Sequence, residues 1–297
     1  MSIIIHLQGG LGNQLFQYAT AKAISESYQV NLLLDDSWFY QTFTDITARP
    51  FLLHNLQVFE TRVTHRNLSS SNKYLNKINL LLPRLNEVVI NCPKPFKFED
   101  KLFCREINPA KNYYLIGYLQ SFRYFENIRN SLLVSFQPKL PLSPHYTSYL
   151  ENIQQSNSIM LHIRRSDYVS LKTASTYHGA LSLSYYLNCM GQMIQRHPAS
   201  HFFIFSDDAE WAKSHLPKTY RLTFIEIENR ATSVVDELYL MSQCHHHIIA
   251  NSSLSWWGAW LSEANEKQTI LTPNRWLSKK NIDLSDLLPA TWERNSD

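Results

Sequence analysis

Short apolar runs alternate with amphipathic stretches along this chain, and the alternation breaks off once and restarts. SIIIHL over residues 2–7 is an apolar run that predicts a buried strand, and QGGLGNQ over 8–14 predicts a turn. LFQYATAKAISES over 15–27 places Phe16, Ala19, Ala23 and Ile24 on one helical stripe. VNLLL over 30–34, ended by Asp35 and Asp36, predicts a second strand. Together these form a strand–turn–helix–strand unit, the opening of a doubly wound sheet. Residues 60–112 are polar, basic and irregular, with one helix expected around 73–82, and YYLIGYL over 113–119 predicts another strand. Pro138, Pro141 and Pro144 cluster in QPKLPLSPH, which reads as a linker, so an N-terminal domain is expected over 1–140 and a C-terminal one over 141–297. Beyond the linker, predicted strands at 158–163, 201–208, 221–227 and 246–250 alternate with helices at 183–197, 209–216, 233–244 and 254–264. That rhythm predicts a second parallel sheet and an α/β fold class. No internal repeat or low-complexity segment interrupts it.

Composition narrows the functional classes. A length of 297 residues suits two domains, and 44% hydrophobic residues suffice for sizeable cores. The 18% charged content is low for a disordered chain, and a net charge of +3 gives no reason to expect a nucleic-acid partner. Charge is uneven, however: between Arg62 and Lys111 stand ten Lys/Arg and four Asp/Glu. Such a segment is either a solvated surface or a patch facing a membrane or an anionic carrier. Cys92, Cys104, Cys189 and Cys244 show no CxxC spacing, which speaks against zinc and fits a reduced, cytoplasmic chain. No signal-peptide pattern opens the chain, and no apolar run reaches the ~20 residues that span a bilayer. The expectation is a protein at most peripheral to the inner membrane.

Four polar clusters fall at the carboxyl ends of predicted strands, at 9–14, 162–167, 206–208 and 251–253. Ligands of open α/β sheets bind there. In SIMLHIRRSDYV, two adjacent arginines follow a buried strand. Neighbouring strand residues point to opposite sides, so Arg164 and Arg165 should do different jobs. One would present its planar fork to phosphate oxygens, while the other pairs with Asp167 or orients the loop. The alternative is a pair of surface ion pairs. NSSLSWWGAWL predicts a helix starting near Ser253, whose N–H groups, dipole and serines suit an anion or serve as plain caps. Trp256, Trp257 and Trp260 are expected to pack against the sheet rather than stack on a sugar.

QGGLGNQ matches a dinucleotide fingerprint only in part, because Leu15 stands where the third glycine belongs, while Asp35 and Asp36 imitate the ribose-binding acid. His245, His246 and His247 would alternate faces on a strand, so at most two could converge on a metal. Asp207 and Asp208 are adjacent and lack the Asp-x-Asp spacing of metal-dependent sugar transferases. No G-x-S-x-G elbow supports a hydrolase.

GGLGNQLFQYA, HIRRSDY, FSDD and LYLMSQCHHHIIANSSLSWWGAWL, in that order from residue 8 to about 261, resemble the bacterial α1,2-fucosyltransferases of glycosyltransferase family 11. The HxRR element is also similar to that of α1,6- and protein O-fucosyltransferases. The resemblance implies a GT-B fold, two Rossmann-like domains facing across a cleft, with a last helix packing back on the N-terminal domain. It implies GDP-L-fucose bound by the C-terminal domain, a β-galactoside acceptor received by the N-terminal domain, and inverting transfer with no metal or other cofactor. Arg164 would contact the diphosphate, with Arg165 beside it and His162 next to the nucleotide. Ser206, Asp207 or Asp208, and either Asp236 or Glu237, would hold ribose or guanine. Asn251, Ser252 and Ser253 would add donors, and Gly10, Gly12 and Asn13 would approach from the other domain. Arg164 and Asn13 would belong to the catalytic set. Asp167 and His178 would be candidate bases, since Lys172 stands where α1,6 enzymes carry a glutamate. Ser166 replaces a glycine frequent in the family, and Glu237 occupies the register of a usual aspartate, leaving the guanine contact open between it and Asp236. The rivals are another nucleotide-sugar GT-B enzyme and an NAD(P)-dependent oxidoreductase, which would leave 162–167 unexplained. The acceptor is in no motif; cytosolic GDP-fucose points to work at the cytoplasmic membrane face on a lipid-linked O-antigen or capsule repeat.

Overall fold

The computed structural model describes residues 1–41, 48–66, 73–103, 106–165, 179–228, 233–262, 268–278 and 282–297. The chain folds as two compact units: Met1–Lys139 with Leu284–Leu288, and Leu140–Asp283 with Pro289–Asp297.

The first unit is built on five parallel strands, β1 (Ser2–His6), β2 (Asn31–Asp35), β3 (Thr61–Val63), β4 (Glu87–Cys92) and β5 (Asn112–Gly117), in the order β3-β2-β1-β5-β4. β1 lies in the middle, which is why its side chains from Ile3 to His6 are buried. Helix α1 (Leu11–Tyr28) begins four residues before the apolar stripe predicts. Gly10, in extended conformation, turns its carbonyl onto the N–H groups of Asn13 and Gln14 at 3.0 and 3.1 Å. Two buried glutamines then brace the turn. Gln14 donates to the carbonyls of Gly9 and Pro50 and accepts from the Leu52 N–H, each at 2.9 Å. Gln17 donates to the Gly117 carbonyl and accepts from the Gln8 N–H. The basic stretch that reads as irregular contains β3, helix α2 (Lys73–Leu81) and β4. Both strands lie at sheet edges, where one side stays wet and the apolar run that marks a central strand is not required. Helix α3 (Arg129–Ser135) closes this part of the chain.

Asp35 and Asp36 do not serve as a ribose-binding acid. Asp35 is fully buried and accepts from the Tyr114 hydroxyl at 2.5 Å and from the N–H groups of Ser37 and His65, with the His6 ring at 3.4 Å. Burial alone would raise its pKa, but these partners, His6 and Ser37 foremost, hold it well below the usual carboxylate range. Asp36 is taken by Arg62, Tyr40 and Thr64. The dinucleotide reading thereby loses its acid as well as its third glycine.

The second unit carries six parallel strands, β6 (Ser158–Ile163), β7 (His201–Ser206), β8 (Arg221–Phe224), β9 (His246–Ile248), β10 (Ile270–Pro273) and β11 (Glu293–Asn295), ordered β11-β10-β9-β6-β7-β8. Starting from β6, the chain winds out to β8, returns, and winds out the other way, so the strand order reverses between β6 and β9. Among the described residues this unit also contains helices α4 (Pro144–Gln154), α5 (Leu183–Arg196), α6 (Ala209–His215), α7 (Val234–Ser242) and α8 (Ser253–Trp260). Ile159, Leu161 and Ile163 of β6 and Phe202 and Ile204 of β7 share a core with Tyr185, Cys189, Met190 and Met193 of α5. Pro144, counted in the linker by composition, opens α4 at a position where its missing N–H costs nothing. Gly258 lets α8 lie against α7, since a Cβ there would come within 2.8 Å of Met241 Cβ. Trp256, Trp257 and Trp260 are buried, with the Trp292 ring tilted at 44° to that of Trp256, the packing role expected. Both units are Rossmann-like α/β domains with wholly parallel sheets, as the GT-B class requires.

The C-terminal stretch that joins the first unit is a turn, Leu284–Leu288, not a helix. Asp286 in it accepts from the Phe98 N–H and from Arg123, and the chain then returns to form β11. Among the described residues no helix is long and apolar enough to cross a membrane. Cys92, Cys189 and Cys244 are free and buried, and burial pushes the Cys92 and Cys189 thiols up to about 11 and about 12; Cys104 lies outside the described residues.

The three consecutive histidines serve the sheet. His247 is fully buried, with its ring between the Met241 carbonyl at 2.9 Å and the Gln268 amide at 3.1 Å. His246 accepts from the Thr269 N–H and stacks on His197 with ring centroids 3.7 Å apart. His245 meets the Ser158 hydroxyl at 3.0 Å. Burial pushes His247 down to about 3 and His246 down to about 4, with the neighbouring histidines adding to the effect. Both are neutral in the fold and protonate near pH 6.5 once unfolded. Their contribution to stability is therefore complete above about pH 6.5 and declines as pH falls towards 4, by up to about 1.4 kcal/mol per pH unit for each ring. The urea midpoint should fall between pH 7.5 and pH 5; a midpoint equal or higher at pH 5 would contradict this account.

Candidate functional site

β6 is flanked by β7 and β9, with Ile163 opposite Ser206 and Leu161 opposite Ile248. Neighbouring strands run about 4.8 Å apart. The segments that follow β6, β7 and β9 therefore leave the sheet side by side, at the point where strand order reverses. Three of the four polar clusters expected from sequence, around 162–165, 206–208 and 251–253, are brought together in this way. The fourth, at 9–14, lies in the first unit, after β1.

Arg164 and Arg165 follow the last residue of β6 and make different contacts; Asp167, the expected partner of one of them, lies outside the described residues. Arg164 Nη1 lies 2.9 Å from Asp207 Oδ2, and the other Asp207 oxygen accepts the Arg165 backbone N–H at 2.8 Å. One carboxylate, 5% exposed, thus aims one guanidinium and fixes the chain just beyond it. Arg165 turns its Nε towards Asp208 at 3.4 Å and lays its guanidinium 3.9 Å over the Trp211 ring. Asp208 also caps α6 by accepting the Trp211 N–H at 3.2 Å, and its own N–H is held by the Ser206 hydroxyl at 3.0 Å. Asp207 and Asp208, expected at ribose or guanine, are engaged here by the two arginines and by the cap of α6.

His162 is buried at the end of β6. Asn251, expected among the ligand donors, gives its amide to the carbonyls of Gly179 at 3.1 Å and Trp276 at 3.2 Å. It ties two loops to the turn after β9. Ser252 is the N-cap of α8 and makes no side-chain capping bond, while Ser255 accepts the Ala250 N–H at 2.9 Å. The first turn of α8 thus brings its N–H groups and dipole to the reversal point, beside the strand that carries Arg164, an arrangement suited to phosphate. On α7, Glu237 is buried and Asp236 is half-buried, with burial and then the Glu228 charge raising the Asp236 carboxyl. Ser166, Asp167, Lys172 and His178 lie outside the described residues.

In the first unit, Asn13 accepts from the Gln120 amide at 2.8 Å. Gly9, rather than Gly10, is the position that only glycine fits: its φ is +78°, and a Cβ would stand 2.7 Å from Asn13 Nδ2, whereas nothing lies within 4 Å of one at Gly10. Gly12 is buried within α1. Sequence reasoning missed Gln14, Gln17, Gln120, Trp211 and Ser255. An amide every three or four residues on α1 was the available signal for the first two; the others depend on contacts far along the chain. Among the described residues no group of three or more His, Cys, Asp or Glu side chains is placed to hold a metal ion.

Two Rossmann-like units, with arginines and a helix N-terminus converging where one sheet reverses, define a glycosyltransferase of the GT-B class. A family model described as Glycosyl transferase family 11 matches residues 2–283, and the chain belongs to that family. It is 33% identical to an Alpha-1,2-colitosyltransferase of Escherichia coli, over 99% of both chains. It is 32% identical to the O-antigen biosynthesis glycosyltransferase WbnK of Escherichia coli, over 93% of this chain and 95% of that one. Among solved structures, POFUT1 in complex with GDP-fucose shares the fold at a TM-score of 0.51 and 11% identity, covering 91% of this chain and 97% of that one.

Proposed function

We propose that this glycosyltransferase moves L-fucose from GDP-L-fucose to O2 of a terminal β-galactoside, with inversion, during assembly of O-antigen or a related surface glycan. The observation that carries the reading is Arg164, held by Asp207 at the reversal point, beside the strand that leads into α8. When the bond to the sugar breaks, charge develops on the departing diphosphate. A guanidinium already aimed, together with helix N–H groups, stabilises that charge without reorganising. These groups supply what a divalent metal supplies elsewhere, so transfer is expected to proceed without one. The acceptor hydroxyl must lose a proton, and Asp167 and His178 are the candidates to receive it. The α1,2 linkage and the O-antigen setting are supported by the two Escherichia coli relatives. The donor is supported by the ordered motifs GGLGNQLFQYA, HIRRSDY and FSDD. The acceptor would be lipid-linked and met at the cytoplasmic face of the inner membrane.

A second reading rests on the 33% relative, whose sugar, colitose, lacks the C3 hydroxyl of L-fucose. Purified protein with EDTA, GDP-L-fucose or GDP-colitose, and lactose, Galβ1,3GalNAc or Galβ1,3GlcNAc would separate the two readings through GDP release and product linkage. Fucose on galactose O2 with EDTA present supports the main reading. Transfer from GDP-colitose alone replaces the donor, and binding of neither donor overturns both.

A further inference from the structure

We infer that α2 and the turn after it dock on an anionic phospholipid surface. Leu80 packs inward against the small core of Ile4, Tyr114 and Ile116 and anchors the helix to the first sheet. The opposite side is apolar and uncovered: Ile78, Leu81, Leu82 and Leu85 are 52%, 36%, 56% and 93% exposed. These are four of the nine large apolar side chains exposed among the described residues, gathered in eight positions. Isolated exposed apolar residues are ordinary, but a contiguous set marks an interaction surface.

The charge around it selects the partner. KYLNKINLLLPRL, residues 73–85, holds Lys73, Lys77 and Arg84 and no acid, within the segment from Arg62 to Lys111 that has ten basic residues against four acidic ones. Leucines flanked by lysine and arginine lie in the plane of a bilayer, the apolar side chains among the upper acyl chains and the cations among anionic headgroups. A pocket of about 250 Å³ opens beside the exposed leucines, lined by Arg66, Asn79, Leu82, Pro83 and Arg84. Arg66 is buried and braced by Glu87 and by the Leu82 carbonyl, and the exposed Arg84 lines the same pocket. The exposed Arg84 guanidinium at the mouth of this pocket suits the oxygens of a headgroup phosphate. The contact needs no particular donor or acceptor sugar.

The test is flotation of the full chain with vesicles of phosphatidylcholine alone or mixed with phosphatidylglycerol. The protein should float with the anionic vesicles at least about tenfold better, should lose that preference in high salt, and should keep it in millimolar inorganic phosphate. Leu82→Glu/Leu85→Glu and Lys77→Glu/Arg84→Glu should each cut flotation about tenfold or more. Both should keep the circular dichroism spectrum and the transfer to a soluble galactoside. Equal flotation with both vesicle types, binding competed by free phosphate, or wild-type flotation by either double variant would each overturn the inference. Failure to transfer to any soluble galactoside would count against the fucosyl reading and leave the vesicle result standing.

Discussion

Arg164→Ala should lower transfer by at least about 10²–10³-fold, the loss seen when one group aimed at developing charge is removed from an active site. The side chain lies just past β6, is 22% exposed, and is held by Asp207. Part of its hydration is already gone, so its charge acts at short range and in reduced dielectric. The substitution leaves the Asp207 carboxylate, 5% exposed, without this guanidinium, so the unfolding midpoint should fall while the folded circular dichroism spectrum is kept. Arg164→Lys keeps the charge and loses the bidentate fork, and should recover only part of the rate. GDP release under saturating donor, read beside a thermal melt, checks both. An Arg164→Ala enzyme with more than a tenth of wild-type activity would remove the diphosphate role.

The second large effect is expected at Asp207. Asparagine there can still accept the Arg165 N–H but carries no charge to hold Arg164. Transfer should fall about 10–100-fold, mostly in kcat, because the guanidinium is no longer fixed where charge develops. If Asp207 instead held ribose or guanine, the substitution would raise the donor KM and leave kcat in place. The two roles also differ in coupling. Added to Arg164→Ala, Asp207→Asn should cost almost nothing, since the residue it positions is already absent. An additive double mutant would show that Asp207 acts on its own.

Much of the architecture was legible because central parallel strands are buried on both faces and must be apolar throughout. β1, β5, β6 and β7 announce themselves in this way, and the helices between them through their spacing. Edge strands carry a weaker signal. β3 and β4 sit inside a basic stretch and β11 reads only ERN, so none was expected. The apolar stripe does not show the start of α1, because its first turn is set by the Gly10 carbonyl and by buried glutamine amides, whose partners at Pro50, Leu52 and Gly117 are far along the chain.

The candidate site divides along the same line. By itself the sequence determined the two-part α/β plan and the placement of polar residues at strand ends, because hydrophobic periodicity is a local property of the chain. The tertiary structure alone decided which carboxylate holds which arginine, that Asn251 ties loops, and that the histidine triplet supports the sheet. It also decided that Leu284–Leu288 belongs with the first unit. Each of these depends on which distant strands become neighbours. That pairing is set by the burial of whole faces against one another, and no short stretch of sequence records it.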